Sequence, residues 1–194
     1  MSPRTCIAAL AVALAVPALA ADTLELDPAH THASFVIKHL LISNVRGEFR
    51  KTTGKVVLDE ADISKSTVEA TIDATTVDTR EEKRDTHLKS PDFFDTAKFP
   101  TITFKSTKVE KAGDGKLKVT GDLTMKGVTK PVVFEVAGPT QEIKDPQGKG
   151  RRGASISTKL NRRDFGVSYG PAAVVGDEVT ITIDAELIVP APKK

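Results

Sequence analysis

The sequence predicts an all-β chain, a closed antiparallel barrel or a sandwich of about eight strands with one short connecting helix, and three observations carry that prediction. Apolar and polar residues alternate strictly over Thr67 to Asp73, Lys116 to Met125 and Val179 to Val189. Val, Ile and Thr dominate these runs, as suits a pleated surface. Turn signals, Gly113-Asp114-Gly115 among them, separate consecutive runs at short intervals. Successive side chains of a strand point to opposite faces, so each run is a strand with one apolar and one wet face.

In chain order, shorter strand candidates are Ala33 to Leu40, Val45 to Phe49, Gly54 to Leu58, Thr101 to Val109, Pro131 to Val136 and Ala154 to Leu160. Gly127 with Thr129-Lys130-Pro131, and Gly148 to Gly153, read as connections. The helical signal is Arg80 to Ser90, highly charged and ended by Pro91, with Asp85 and Lys89 at pairing distance along a helix. Closing the sheet would remove the edges that long strands otherwise expose. A membrane barrel is excluded by the outward face, which carries Lys, Thr, Glu and Asp where an apolar band is needed. The inward positions include Ala70, Gly121, Ala154 and Ala185, small residues that leave room in a lumen of this size.

The N-terminus reads as a cleaved export signal. Arg4 supplies a positive start, Ile7 to Val16 is unbroken Ala, Val, Leu and Ile, and Ala18-Leu19-Ala20 presents small residues for cleavage. The apolar run is too short to span a bilayer comfortably. Residues 1–20 are therefore expected to be a signal peptide and 21–194 one domain. Cys6 is the single cysteine and lies inside that leader, so the mature chain has no thiol for a disulfide or a metal. The last residues, Pro190 to Lys194, read as a loose end.

Charge narrows the partners. Lys and Arg total 28 against 26 Asp and Glu, a balance without the basic footprint that phosphate backbones require. With no Trp and one Tyr, stacking platforms for bases are scarce too. No nucleic-acid partner is expected.

Chemistry-bearing motifs are sparse. His30-Thr31-His32 with His39 invites a metal reading, with Asp27 or Asp85 as a further ligand. Strand parity opposes it, because His39 shares a face with Phe35 and Ile37 whereas His30 and His32 fall on the other. Asp78, Arg84, Asp85 and His87 read as the solvated charges of the helix. No nucleophile elbow, HExxH or phosphate-cradling glycine loop is present. No catalytic residue and no metal site are assigned.

Several segments resemble one family. Asp27-Pro28-Ala29-His30, Phe35 to Leu40 and Val45-Arg46-Gly47-Glu48-Phe49 look like the opening of the YceI-like polyisoprenoid-binding proteins. Val77-Asp78-Thr79 and Arg84 to Asp95 match that family's most specific signature, followed by Phe99 to Ser106, Gly121 to Val132 and Asn161 to Gly166. Two positions depart: His32 stands where a small hydroxyl residue is usual, and Arg80 where Gly or Asn is common.

The resemblance implies an eight-stranded, lipocalin-like antiparallel barrel with a short connecting helix, whose apolar tunnel holds a long isoprenoid lipid. Polyprenyl phosphates and isoprenoid quinones are the implied ligands, with no other cofactor and no catalysis. It also implies a periplasmic location and transient contact with inner-membrane quinone or lipid-carrier proteins, the chain acting as monomer or dimer. The apolar residues expected to meet the lipid are Phe35, Ile37, Val68, Ile72, Ile102, Phe104 and Leu117. From the second half come Val119, Leu123, Phe134, Ile156, Phe165, Ile181 and Ile183. A polar head would be met at the mouth by His39, Arg46, Asp78, Arg84, His87 or Arg163. The rival expectations are a metal-assisted enzyme using His30, His32 and His39, and a structural β-fold with a solid core.

Overall fold

A computed structural model describes residues 21–191; residues 1–20, where the expected signal peptide and Cys6 fall, and residues 192–194 lie outside the described residues. In order, the chain forms β1 (Asp22–Leu26), β2 (His32–His39), β3 (Ser43–Phe49), β4 (Thr52–Leu58), β5 (Thr67–Asp73) and β6 (Val77–Asp78). The helix α1 (Glu82–Lys89) follows, then β7 (Thr101–Lys111), β8 (Lys116–Met125), β9 (Val128–Ala137), β10 (Ile143–Lys144), β11 (Gly150–Asn161) and β12 (Val175–Val189).

Three pairs of these strands are single staves bent in the middle. β1 and β2 lie end to end along β12, Leu26 facing Leu187 and His32 facing Asp184. β3 and β4 continue one another opposite them, and β6 extends β5 by pairing with β3. Counted as staves, the barrel is eight-stranded and antiparallel, every stave pairing with the next in sequence and β12 closing the ring against the first. Asp27 makes the first bend: its carboxylate accepts the Ala29 amide at 3.0 Å and its own N–H bonds to Glu186 O at 2.9 Å.

The longest ladder joins β11 to β12 from Gly150↔Val189 to Asn161↔Glu178. Between neighbouring staves the shortest pairing joins β9 to β11, running only through Glu135–Ala137 and Ser155–Ser157. Beyond it, Thr158 Oγ1 donates to Val133 O at 2.8 Å in place of a ladder bond.

Sequence and structure differ in places. β1 was not anticipated, because Asp22 to Leu26 carries only two apolar residues. Gly150 to Gly153 belong to β11 and not to a connection, since the β12 ladder extends over them. Asp85 does not pair with Lys89 along α1; it accepts from the Thr79 amide and hydroxyl, tying the helix start to β6.

The alternation sets the two ends apart. At the helix end, α1 and the residues around it cap the barrel with a cluster that includes Phe49, Val77, Phe94 and Phe165. Phe49 contacts both Phe35 and Phe94, with ring centroids 5.7 and 5.5 Å away. The opposite end holds the start of β1, the end of β12 and a smaller cluster of Leu24, Leu58 and Leu187.

Candidate functional site: an apolar lumen

Between the two clusters the barrel is not filled. A cavity of about 190 Å³ runs inside it, from Leu117 to Met125 along β8, or roughly 26 Å of strand at 3.3 Å per residue. Inward positions of every stave contribute: Val56 from β4, Val68, Ala70 and Ile72 from β5, and Ile102 and Phe104 from β7. Val119 and Leu123 from β8, Phe134 and Val136 from β9, Ala154 and Ile156 from β11, and Ile181, Ile183 and Ala185 from β12 complete the wall.

The hollow has a sequence cause. Ala154 and Ala185 face each other across β11 and β12 and leave a gap where two larger side chains would meet. Two rings are laid flat against the wall by glycines, Phe35 over Gly47 and Phe104 over Gly121, where a β-carbon would stand 2.3 and 2.5 Å from the respective Cζ atoms. Glycine admits such close approach because it carries no Cβ.

Of the apolar residues singled out in the sequence, Phe35, Val68, Ile72, Ile102, Phe104, Leu117, Val119, Leu123, Phe134, Ile156, Ile181 and Ile183 line this cavity. Two do not. Ile37 sits beyond its helix end, and Phe165 lies on a short 3₁₀ turn, 2% exposed, inside the capping cluster. The wall also has residues the sequence reading passed over, such as Leu26, Val56, Met125 and Leu160. Val56, Met125 and Leu160 sit on the inward faces of strands already bounded in the sequence, whereas Leu26 belongs to β1, which was not anticipated.

One polar atom in the wall is alone. Thr52 is 2% exposed, lines the cavity, and its Oγ1 has no hydrogen-bond partner. A hydroxyl in such a place is costly unless something accepts from it.

The six polar residues considered for a mouth all lie toward the helix end, but most are already engaged. Asp78 accepts from the Arg80 amide at 2.7 Å and from the Arg50 guanidinium, and these bonds, that of Arg80 first, hold its carboxyl below the ordinary range. Arg84 donates twice to Thr79, at 2.7 and 2.8 Å. His87 bonds Asp92 at 2.8 Å and sits edge-on between Phe93 and Tyr169. Arg163 donates to Asp177 at 2.6 Å and to two carbonyls of the 168–170 loop. His39 and Arg46 have no side-chain partner among the described residues and face opposite sides of the wall.

The arginine beside Arg163 was not distinguished in the sequence. Arg162 is 5% exposed and donates to the carbonyls of Val167, Tyr169, Gly170, Val175 and Gly176, with Asp177 at 3.2 Å. Burial, with Arg163 next to it, lowers its pKa from the ordinary value. It pins the 166–176 loop across the helix end.

The histidine set does not converge. His32 and His39 stand at opposite ends of β2, about 23 Å apart at strand rise. His30 instead joins Asp27 at 3.1 Å, in a group with Glu186 whose central cation is Arg151, 2.7 Å from Asp27 and 3.2 Å from Glu186. Asp85 is at the far end with Thr79. The metal-assisted reading thus lacks its ligand set.

Comparison with known proteins agrees with this architecture. The chain is 41% identical over 172 residues to protein YceI of Escherichia coli O157:H7, covering 87% of each chain. Its fold superposes on Burkholderia cenocepacia BcnA with a TM-score of 0.74 at 26% identity, over 83% of this chain and 98% of the other. It also superposes on a polyisoprenoid binding domain from Saccharophagus degradans with a TM-score of 0.65 at 15% identity, over 88% and 99%. A family model described as the YceI-like domain matches residues 24–187, from the first stave to the last. With the barrel, the capping helix and these matches in agreement, the chain belongs to the YceI-like domain family.

Proposed function

We propose that the barrel is a carrier that encloses the chain of an isoprenoid lipid in its lumen, without turnover. The observation that carries the reading is the continuous apolar cavity between two packed ends. Its volume of about 190 Å³ gives room for on the order of fifteen water- or methyl-sized groups, about three isoprene units. Each buried methylene contributes about 0.8 kcal/mol, offset in part by the entropy of ordering the chain. The resemblance of the fold to a polyisoprenoid binding domain supports the same class of ligand.

Within that class, the lone Thr52 hydroxyl favours a quinone over a polyprenyl phosphate. A quinone carbonyl can accept from Oγ1 without bringing charge, whereas a phosphate, also an acceptor, would be an unpaired anion among lining residues that include no cation. The leader read in residues 1–20 supports a periplasmic location, reached by export.

Native mass spectrometry of protein taken from periplasm, with extraction and lipid mass spectrometry, tests the reading. A single adduct of isoprenoid mass is expected. Ala185→Phe, which fills the lumen opposite Ala154, should abolish the adduct while the barrel remains folded. Protein that is empty, and stays empty after incubation with ubiquinone and polyprenyl phosphate, would overturn it.

A further inference from the structure

The turn between β2 and β3 has a composition that neither folding nor the lumen explains. Leu40, Leu41 and Ile42 form its tip at the helix end and are 48%, 67% and 83% exposed. The turn closes by a hydrogen bond from Ile42 N to His39 O at 3.2 Å, and both residues between them have positive φ, 51° at Leu40 and 62° at Leu41. Hairpin turns that need positive φ at both central positions are normally built from Asn and Gly, because a Cβ is strained there. Here the strained positions carry leucines, and their side chains lie in water. A turn selected only for hairpin formation would have neither the strain nor the exposure.

The surroundings indicate what such a tip would meet. Val174, 38% exposed, lies alongside, its carbonyl accepting from Leu40 N at 2.9 Å. On the outer face next to the turn, Lys38 and Arg46 are exposed, and neither forms an ion pair among the described residues. On the adjoining stave Asp177 is paired with Arg163 and Glu178 with Lys159, and Glu48 shares the outer face of β3 with Arg46. The result is a convex aliphatic tip flanked by two free cations. A protein partner would bring aromatic and arginine anchors into concave pockets. Aliphatic residues on a protruding turn, backed by lysine and arginine, suit the headgroup layer of an anionic bilayer, where apolar burial and surface charge act together.

We infer that the β2–β3 tip is a membrane-docking element that inserts Leu40, Leu41 and Ile42 into the surface of an anionic lipid bilayer and sets the helix end of the barrel against it. No helix among the described residues is long and apolar enough to cross a membrane. The inference is independent of what the lumen carries.

The test uses residues 21–194, which contain every stave of the closed barrel and omit the apolar run of the leader, and vesicles of phosphatidylethanolamine with phosphatidylglycerol. Sedimentation with these vesicles should capture the wild type, added salt should weaken capture, and phosphatidylcholine vesicles should capture far less. Leu41→Ser with Ile42→Ser should reduce partitioning at least about tenfold while leaving the circular dichroism unchanged, and Lys38→Glu with Arg46→Glu should remove the salt dependence. Because the chain contains no tryptophan, Ile42→Trp adds a single reporter whose emission should shift to the blue on the anionic vesicles. Equal capture of wild type and the serine variant, or no capture of either, overturns the inference. So does a concentration-dependent dimer that the serine variant abolishes, since the tip would then meet a second copy of the chain.

Discussion

The Phe35 ring lies over the α-carbon of Gly47, its partner across β2 and β3, so closely that a methyl on Gly47 would stand 2.3 Å from Phe35 Cζ and 2.8 Å from Thr79 Cγ2. The ring bridges the capping cluster and the lumen wall, and only a bare backbone lets it lie there. Gly47→Ala should therefore destabilise the barrel by about 1–3 kcal/mol, the usual effect of overpacking a filled site. Urea titration checks this. Combination with Phe35→Leu should show favourable coupling in a double-mutant cycle; strictly additive losses would mean the two residues do not share that space.

Arg80 has φ of 65°, in the left-handed region, just ahead of α1. The resemblance marks this place as one where Gly or Asn is common, and the backbone gives the reason: a Cβ is strained at such an angle. Arg80→Gly should raise stability by about 0.5–1 kcal/mol despite the greater freedom it gives the unfolded chain, read as a higher urea midpoint with unchanged slope.

Arg162 and Arg163 are adjacent and alike in sequence but not in consequence. Replacing Arg162 by Met would remove its bonds to the carbonyls of Val167, Tyr169, Val175 and Gly176, leave Gly170 only Arg163, and leave Asp177 half satisfied. A loss of about 3–5 kcal/mol is expected for breaking a buried charged network, with faster amide exchange through 166–176. Arg163→Met, at a partly exposed position, should cost about 1 kcal/mol or less.

Asp27 gives the barrel a pH dependence. The His30 ring bonded to it, then the Ala29 amide, with a smaller contribution from Arg151, lower its carboxyl pKa from 3.8 to about 2 against the opposing effect of burial. The folded value lies below the unfolded one, so the stabilisation is present above about pH 4 and is lost as pH falls towards 2. The effect is on the order of 1 kcal/mol. Asp27→Asn should be less stable at neutral pH and should flatten the stability curve across that acid window, as followed by thermal unfolding at stepped pH.

Much of this was legible in the chain because strand alternation is local. Thr67 to Asp73, Lys116 to Met125 and the Ile181-Ile183-Ala185-Leu187 series show their inward faces without reference to any other residue, since a strand's side chains alternate whatever it pairs with. The all-β class and most of the cavity wall follow from that periodicity, and the order of the segments quoted from Asp27 to Gly166 supplied the family resemblance. What pairing decides was hidden. That β1 is a strand depends on β4 and β12 holding it on either side, and that His32 and His39 are far apart depends on the extended backbone between them. Arg162 is buried and Arg163 is not because the 166–176 loop folds back over one of two identical side chains, a contact made only after β11 and β12 are in register. The lumen itself belongs to the same class: Ala154 meets Ala185 only through the register of the β11–β12 ladder. Local periodicity determines which way a residue points, whereas what it points at, and whether the space is filled, is decided by partners distant in the chain.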